Sequence, residues 1–68
     1  MATVARITTI SSRSETSFDD ALATGVERAS ATLRNVTGAW VKEQKVLVAD
    51  GKITSYDVVI EITFVLDD

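Results

Sequence analysis

Hydrophobic and polar residues alternate strictly near the end of the chain, over residues 53–66. One side of this segment is wholly apolar or aromatic, which predicts a long β-strand; it carries Tyr56, Val58, Ile60, Ile62, Phe64 and Leu66. The opposite side mixes valines with carboxylates and includes Asp57, Val59, Glu61 and Val65. A solvated face would not need the valines, and a buried face would not normally hold the carboxylates. We therefore expect this second face to meet other subunits or a ligand.

An amphipathic helix is predicted from Phe18 to about Arg34. Apolar side chains recur there at helical spacing, at Phe18, Leu22, Val26, Ala29, Leu33 and Val36. Ser17 precedes this pattern as the expected N-cap of a capping-box-like start, with Asp20 in place of the usual Glu or Gln. Gly25 lies on the apolar stripe, where we expect it to allow close packing against a sheet rather than to take part in chemistry.

Two further segments predict strands. Residues 4–10 are rich in β-branched side chains, which favour a strand, and a polar connection follows over residues 11–17. Residues 39–49 alternate again, so that Trp40 and Glu43 are expected on opposite faces of that strand.

The element order predicts an α+β fold in which one helix packs on a three-stranded antiparallel sheet. Asp50-Gly51 lies between two strand patterns and indicates a tight hairpin. The first and second strands, joined through the helix, should run parallel with the third between them. We interpret residues 1–68 as a single β-α-β-β domain. Because one helix covers only one face of the sheet, the other face needs a partner.

Composition narrows the possible functions. A chain of 68 residues is near the lower limit for a self-sufficient core, and it has no cysteine with which to reinforce that core. We therefore expect a homo-oligomer. The lack of histidine and cysteine also argues against an enzyme. A net charge of −3 with scattered basic residues argues against nucleic-acid binding.

No membrane partner is expected either. No segment approaches the roughly 20 apolar residues of a membrane span, and the first residues do not form a signal-peptide pattern. We therefore expect a cytoplasmic protein.

The chain resembles the dodecins over nearly its whole length. The resemblance rests on the serine-rich turn before Ser17-Phe18, Glu27-Arg28-Ala29 in the helix, the helix end Leu33-Arg34-Asn35-Val36, and residues 56–66. It implies a β-α-β-β subunit that assembles as a homododecamer, a hollow sphere, and that stores or buffers a small ligand or ion.

The resemblance also implies where a flavin would bind. In flavin-binding dodecins a tryptophan after the helix stacks on the isoalloxazine ring, and a glutamine on the third strand hydrogen-bonds the edge of the ring. The corresponding residues here are Gly38, which has no π-face, and Asp57, which can only accept hydrogen bonds when ionised. The chain is therefore more similar to the non-flavin branch of the family, which is associated with calcium. Two alternatives stay open: a flavin (riboflavin or FMN) pocket rearranged around Trp40, and a purely structural shell in which Trp40 anchors an interface.

Calcium binding would need carboxylate oxygens that converge from several places. The candidate ligands are Glu15, Glu43, Asp57 and Glu61. The resemblance implies that Glu15 and Glu43 lie near cation sites between subunits, where a threefold axis would bring three copies of one carboxylate together. For each of these residues the alternative is a solvated charge or an ordinary ion pair.

Overall fold

A computed structural model describes residues 2–67 of the chain. Its elements are strand β1 (Ala5–Ser14), helix α1 (Phe18–Thr32), strand β2 (Val36–Ala49) and strand β3 (Lys52–Val65). The strands form one sheet in the order β1-β3-β2, and both neighbours run antiparallel to β3. The predicted fold, with the last strand in the middle and one helix on the sheet, is confirmed. In residues 2–67 no helix is long and apolar enough to cross a membrane.

The first turn of α1 is fixed by a network of short polar side chains. Ser17 is the N-cap, and its hydroxyl accepts a hydrogen bond from the backbone N–H of Asp20 at 3.0 Å. The Asp20 carboxylate accepts a hydrogen bond from Ser14 Oγ at 2.6 Å. The same Ser14 oxygen accepts from the backbone N–H of Thr16 at 2.9 Å. The expected cap is therefore present, and the aspartate ties the helix to the end of β1.

Small residues let α1 approach the sheet closely. The buried helix positions are Ala21, Gly25 and Ala29. They share a core with three β3 side chains that are almost fully buried, namely Val58, Ile60 and Ile62. A Cβ placed on Gly25 would lie only 2.8 Å from the Ile60 Cδ1 atom. The predicted packing role of Gly25 is confirmed.

The β2–β3 hairpin turns where the sequence predicted. Asp50 and Gly51 both have positive φ angles, 54° and 75°. A two-residue turn with both central residues at positive φ matches the twist of antiparallel strands. Glycine adopts this conformation readily, and aspartate tolerates it better than most residues.

The bounds of β1, β2 and α1 differ from the prediction. Residues 11–14 belong to β1 and pair with residues 56–59 of β3 instead of forming a loop. β2 also begins earlier than expected, at Val36, and α1 ends two residues earlier, at Thr32. Serine has a low strand propensity, but pairing with a long central neighbour overrides it.

A bulge in β2 changes which of its residues share a face. The pairing shifts between Val41 and Glu43, so that Lys42 is the extra residue. Trp40 lies opposite Glu61 and Glu43 lies opposite Val59. Directly paired residues project from the same side of a sheet, so Trp40 and Glu43 share a face. The prediction that they lie on opposite faces is wrong, because strict alternation does not continue through a bulge.

Candidate functional site

The candidate site is the sheet face that points away from α1, called the outer face below. Its residues lie in four rows across the strands, in the order β1, β3, β2: Arg13–Asp57–Lys45, Ser11–Val59–Glu43, Thr9–Glu61–Trp40 and Ile7–Thr63–Gly38. The face therefore combines carboxylates, cationic groups and apolar side chains, as the sequence of β3 predicted.

Asp57 is held by an ion pair with two hydrogen bonds. Arg13 donates from Nε to one carboxylate oxygen at 2.6 Å and from Nη2 to the other at 3.1 Å. The Asp57 side chain is only 15% exposed, whereas that of Arg13 is 60% exposed. Such a fork-shaped contact fixes the carboxylate in orientation as well as charge.

This contact stabilises the ionised form of Asp57. The hydrogen bond from Arg13 lowers the pKa of Asp57, and the positive charges of Arg13 and Lys45 lower it further. Desolvation by the surrounding protein opposes them, but the net direction is downward. The pKa of Arg13 is raised by the same hydrogen bond. Asp57 is therefore an anion at neutral pH, and both of its oxygens already have a donor.

An open groove of about 490 Å³ runs along this end of the outer face. It is lined by Ser11, Glu43, Gln44, Lys45, Asp57 and Val59. The lining combines hydrogen-bond donors and acceptors of both charges with apolar surface, but it includes no aromatic side chain on which a flat ring could stack. It suits a small polar ligand or the side chains of another subunit better than a large aromatic ring.

Gly38 and Trp40 lie on the same face, as expected. A Cβ built on Gly38 would meet only the Thr63 Cβ, at 3.9 Å, so the space for a larger side chain at this position is open. The Trp40 side chain is 69% exposed. Within residues 2–67 no other part of the chain covers its ring, which leaves it free for an interface or a planar ligand.

The structure brings three of the four candidate metal ligands together on one face. Glu43, Asp57 and Glu61 lie in successive rows, whereas Glu15 lies in the turn after β1 and is exposed. Within the part of the chain that the structure describes, no three acidic side chains are close enough to form a metal site. A calcium ion bound here would therefore need carboxylates from several subunits.

Arg13 is the main residue that the sequence reasoning missed. It was assigned to a polar connection, where it would have had no defined neighbour. Its partner Asp57 is 44 positions away along the chain, and only the extension of β1 beside β3 brings the two together. No local pattern reveals such a pair. Extending the β1–β3 pairing beyond residue 10 would have placed Arg13 opposite Asp57.

Comparison with known proteins agrees with this architecture. Residues 4–67 match the family model for dodecin. No match was found among curated proteins. Among solved structures, a dodecin from Streptomyces davaonensis is 32% identical over 100% of both chains, with a TM-score of 0.90. A dodecin from Streptomyces coelicolor is 27% identical over 97% of this chain and 94% of that one, with a TM-score of 0.89. An arginine-to-alanine mutant of Thermus thermophilus dodecin is 27% identical over 98% of this chain and 100% of that one, with a TM-score of 0.90.

Proposed function

This chain belongs to the dodecin family, and we propose that it forms a homododecamer that binds and stores a small ligand or ion without catalysing a reaction. The outer face carries the proposal. Ile7 is 61% exposed and Trp40 is 69% exposed, and nothing within residues 2–67 covers them. Two apolar side chains of this size that are so exposed on one sheet face favour burial against other subunits.

The proposed ligand is not a flavin bound in the manner of the flavin-binding dodecins. Gly38 supplies no ring for stacking, and Asp57 is occupied by Arg13. A carboxylate whose two oxygens both accept from a guanidinium offers no donor to the edge of a flavin ring, and its orientation is fixed by Arg13. Both observations support the non-flavin branch of the family.

Calcium is the proposed cargo. Glu43 and Glu61 lie on the outer face without an ion-pair partner among residues 2–67, and Glu15 is exposed in the turn after β1. Carboxylates that have no counter-ion within one chain can be neutralised by a shared cation where several copies meet. The calcium would therefore lie between subunits.

Native mass spectrometry with elemental analysis of freshly purified protein tests the assembly and its cargo together. We expect the mass of a dodecamer, bound calcium and no retained flavin. A stable monomer or dimer would contradict the assembly. A dodecamer without calcium, and with calcium affinity too weak to matter in a cell, would favour a purely structural shell.

A planar ligand stacked on Trp40 is the second candidate, because the exposed indole lies on the same face as Gly38. Titration with riboflavin or FMN, followed by flavin fluorescence, distinguishes the two candidates. We expect weak or no quenching by the wild-type protein. Gly38→Trp combined with Asp57→Gln should improve binding, since the space beside Gly38 is open, while Gly38→Leu is the control for bulk without stacking. Tight quenching by the wild type would favour the Trp40 pocket.

A further inference from the structure

Arg13, Asp57 and Lys45 lie side by side across the three strands, a negative charge between two positive ones. The Arg13 guanidinium contacts both Asp57 oxygens, at 2.6 and 3.1 Å. Lys45 lies directly opposite Asp57 in the register of β2 and β3 and also lines the groove. The carboxylate thus lies between two cationic residues of the chain itself and is in contact with one of them, Arg13.

This arrangement has a direct consequence for cation binding. A divalent cation such as calcium binds carboxylate oxygens at short distance, and at Asp57 it would meet the guanidinium that already contacts both oxygens. At Asp57 an incoming cation would have to displace the guanidinium and would be repelled by both neighbouring charges. Glu43 lines the same groove and pairs with Val59, so it has no cationic residue directly opposite.

We propose that Arg13 is a specificity-determining residue, which positions Asp57 as an internal counter-ion and keeps divalent cations away from that end of the outer face. This inference rests on the proposed function only in treating the outer face as the ligand-binding surface. It assigns Glu43 and Glu61 to cation binding and removes Asp57 from the ligand set.

Four variants of the full chain test this role: Arg13→Gln, Arg13→Lys, Asp57→Asn and the double variant Arg13→Gln/Asp57→Asn. Calcium affinity is measured by isothermal titration calorimetry. Terbium luminescence, sensitised by Trp40 on the same face, gives an independent readout. Circular dichroism establishes that each variant is folded, and the mass of the oligomer in native mass spectrometry establishes that it is assembled.

We expect Arg13→Gln to bind calcium roughly tenfold more tightly than the wild type, or to gain a class of sites, because a unit positive charge close to a divalent ion changes its affinity by about this factor even in water-like surroundings. The double variant should lose this gain. Arg13→Lys should stay near the wild type, since it retains the charge. Asp57→Asn alone should weaken calcium binding by about the same factor, because it leaves the positive charge of Arg13 without its counter-ion.

Two results would overturn the proposal. One is clearly weaker calcium binding in the double variant than in the wild type, because the net charge is then the same and Asp57 would be a ligand despite Arg13. The other is a folded Arg13→Gln with the calcium affinity of the wild type. If Arg13→Gln does not fold, a gain in Arg13→Lys equal to the expected tenfold would contradict exclusion by charge, and wild-type affinity in Arg13→Lys would support it. A wild type that binds no calcium would contradict the proposed cargo but not the role of Arg13, because the gain in Arg13→Gln would still be measurable.

Discussion

Replacing Gly25 with alanine measures how closely α1 packs on the sheet. The added Cβ would lie 2.8 Å from Ile60 Cδ1 and 3.2 Å from the Ser12 Cβ. Ile60 is fully buried, so its side chain has little room to move. Overpacking of this kind costs about 1–3 kcal/mol. The better helix propensity of alanine returns about 1 kcal/mol. The net expectation is a loss of about 1 kcal/mol in the free energy of unfolding.

A double variant identifies the contact responsible. Ile60→Val removes the Cδ1 atom and by itself should cost about 0.5–1.5 kcal/mol. In the combined Gly25→Ala/Ile60→Val variant the space left by Cδ1 accepts the new methyl group. The two changes should therefore be non-additive, with the double variant more stable than the sum of the single losses predicts by about 1 kcal/mol.

Urea unfolding at a fixed subunit concentration is the assay, because assembly makes the apparent stability depend on concentration. Ala23→Gly, at an exposed position of the same helix, gives the glycine-to-alanine difference without packing. Strict additivity of Gly25→Ala and Ile60→Val would refute the reasoning. A Gly25→Ala variant stabilised by as much as Ala23→Gly is destabilised would also refute it, since helix propensity alone would then explain the result.

Two further predictions concern the outer face. Val59→Asp should dissociate the oligomer, because the charge would be buried unpaired between subunits at a cost of several kcal/mol. Thr24→Asp, on the exposed side of α1, should leave the oligomer assembled. Light scattering measures the mass of the particles in solution, and equal masses for the two variants would contradict this prediction. The second uses acid. Arg13 lowers the pKa of Asp57 in the folded chain, with a smaller contribution from Lys45. The ionised Asp57 therefore stabilises the fold fully above the unfolded carboxyl pKa of about 3.9. This stabilisation is lost as the pH falls through the lower pKa of the folded chain. The stability difference between wild type and Asp57→Asn should therefore be constant near neutral pH and shrink in acid; a difference unchanged down to the acid-unfolding range would contradict the ion pair.

Local periodicity was sufficient to predict the elements that bury a single continuous face. The alternation of β3 predicted one wholly apolar face; its middle residues Val58, Ile60 and Ile62 are buried, whereas Leu66, beyond the end of the strand, is exposed. The apolar stripe of the helix and its N-cap at Ser17 were equally predictable from the sequence, because helical periodicity and capping involve residues only a few positions apart. Gly25 could be assigned to packing for the same reason, since it lies on that stripe.

Periodicity failed where pairing with another strand decides the conformation. Residues 11–14 are polar and read as a loop, yet β3 is long enough to pair with them. The bulge at Lys42 places Glu43 and Lys45 on the same face as Trp40, and a bulge leaves no distinct mark in an alternating pattern. Both errors concern the outer face. The chemistry of the candidate site was therefore less predictable than the core.

The register of the strands also indicates which part of the outer face is free to bind. Arg13 neutralises Asp57 at one end, and within residues 2–67 it makes the only ion pair on this face. Glu43 and Glu61, in the next two rows, keep their charges unpaired within the chain and lie on the same face as the exposed Trp40. A face that has no excess negative charge at one end, and is both acidic and apolar at the other, favours cation binding at the acidic, apolar end. We therefore expect cations and planar ligands to compete for the surface around Trp40. We expect Asp57 to stabilise the pairing of β1 with β3 through its ion pair with Arg13.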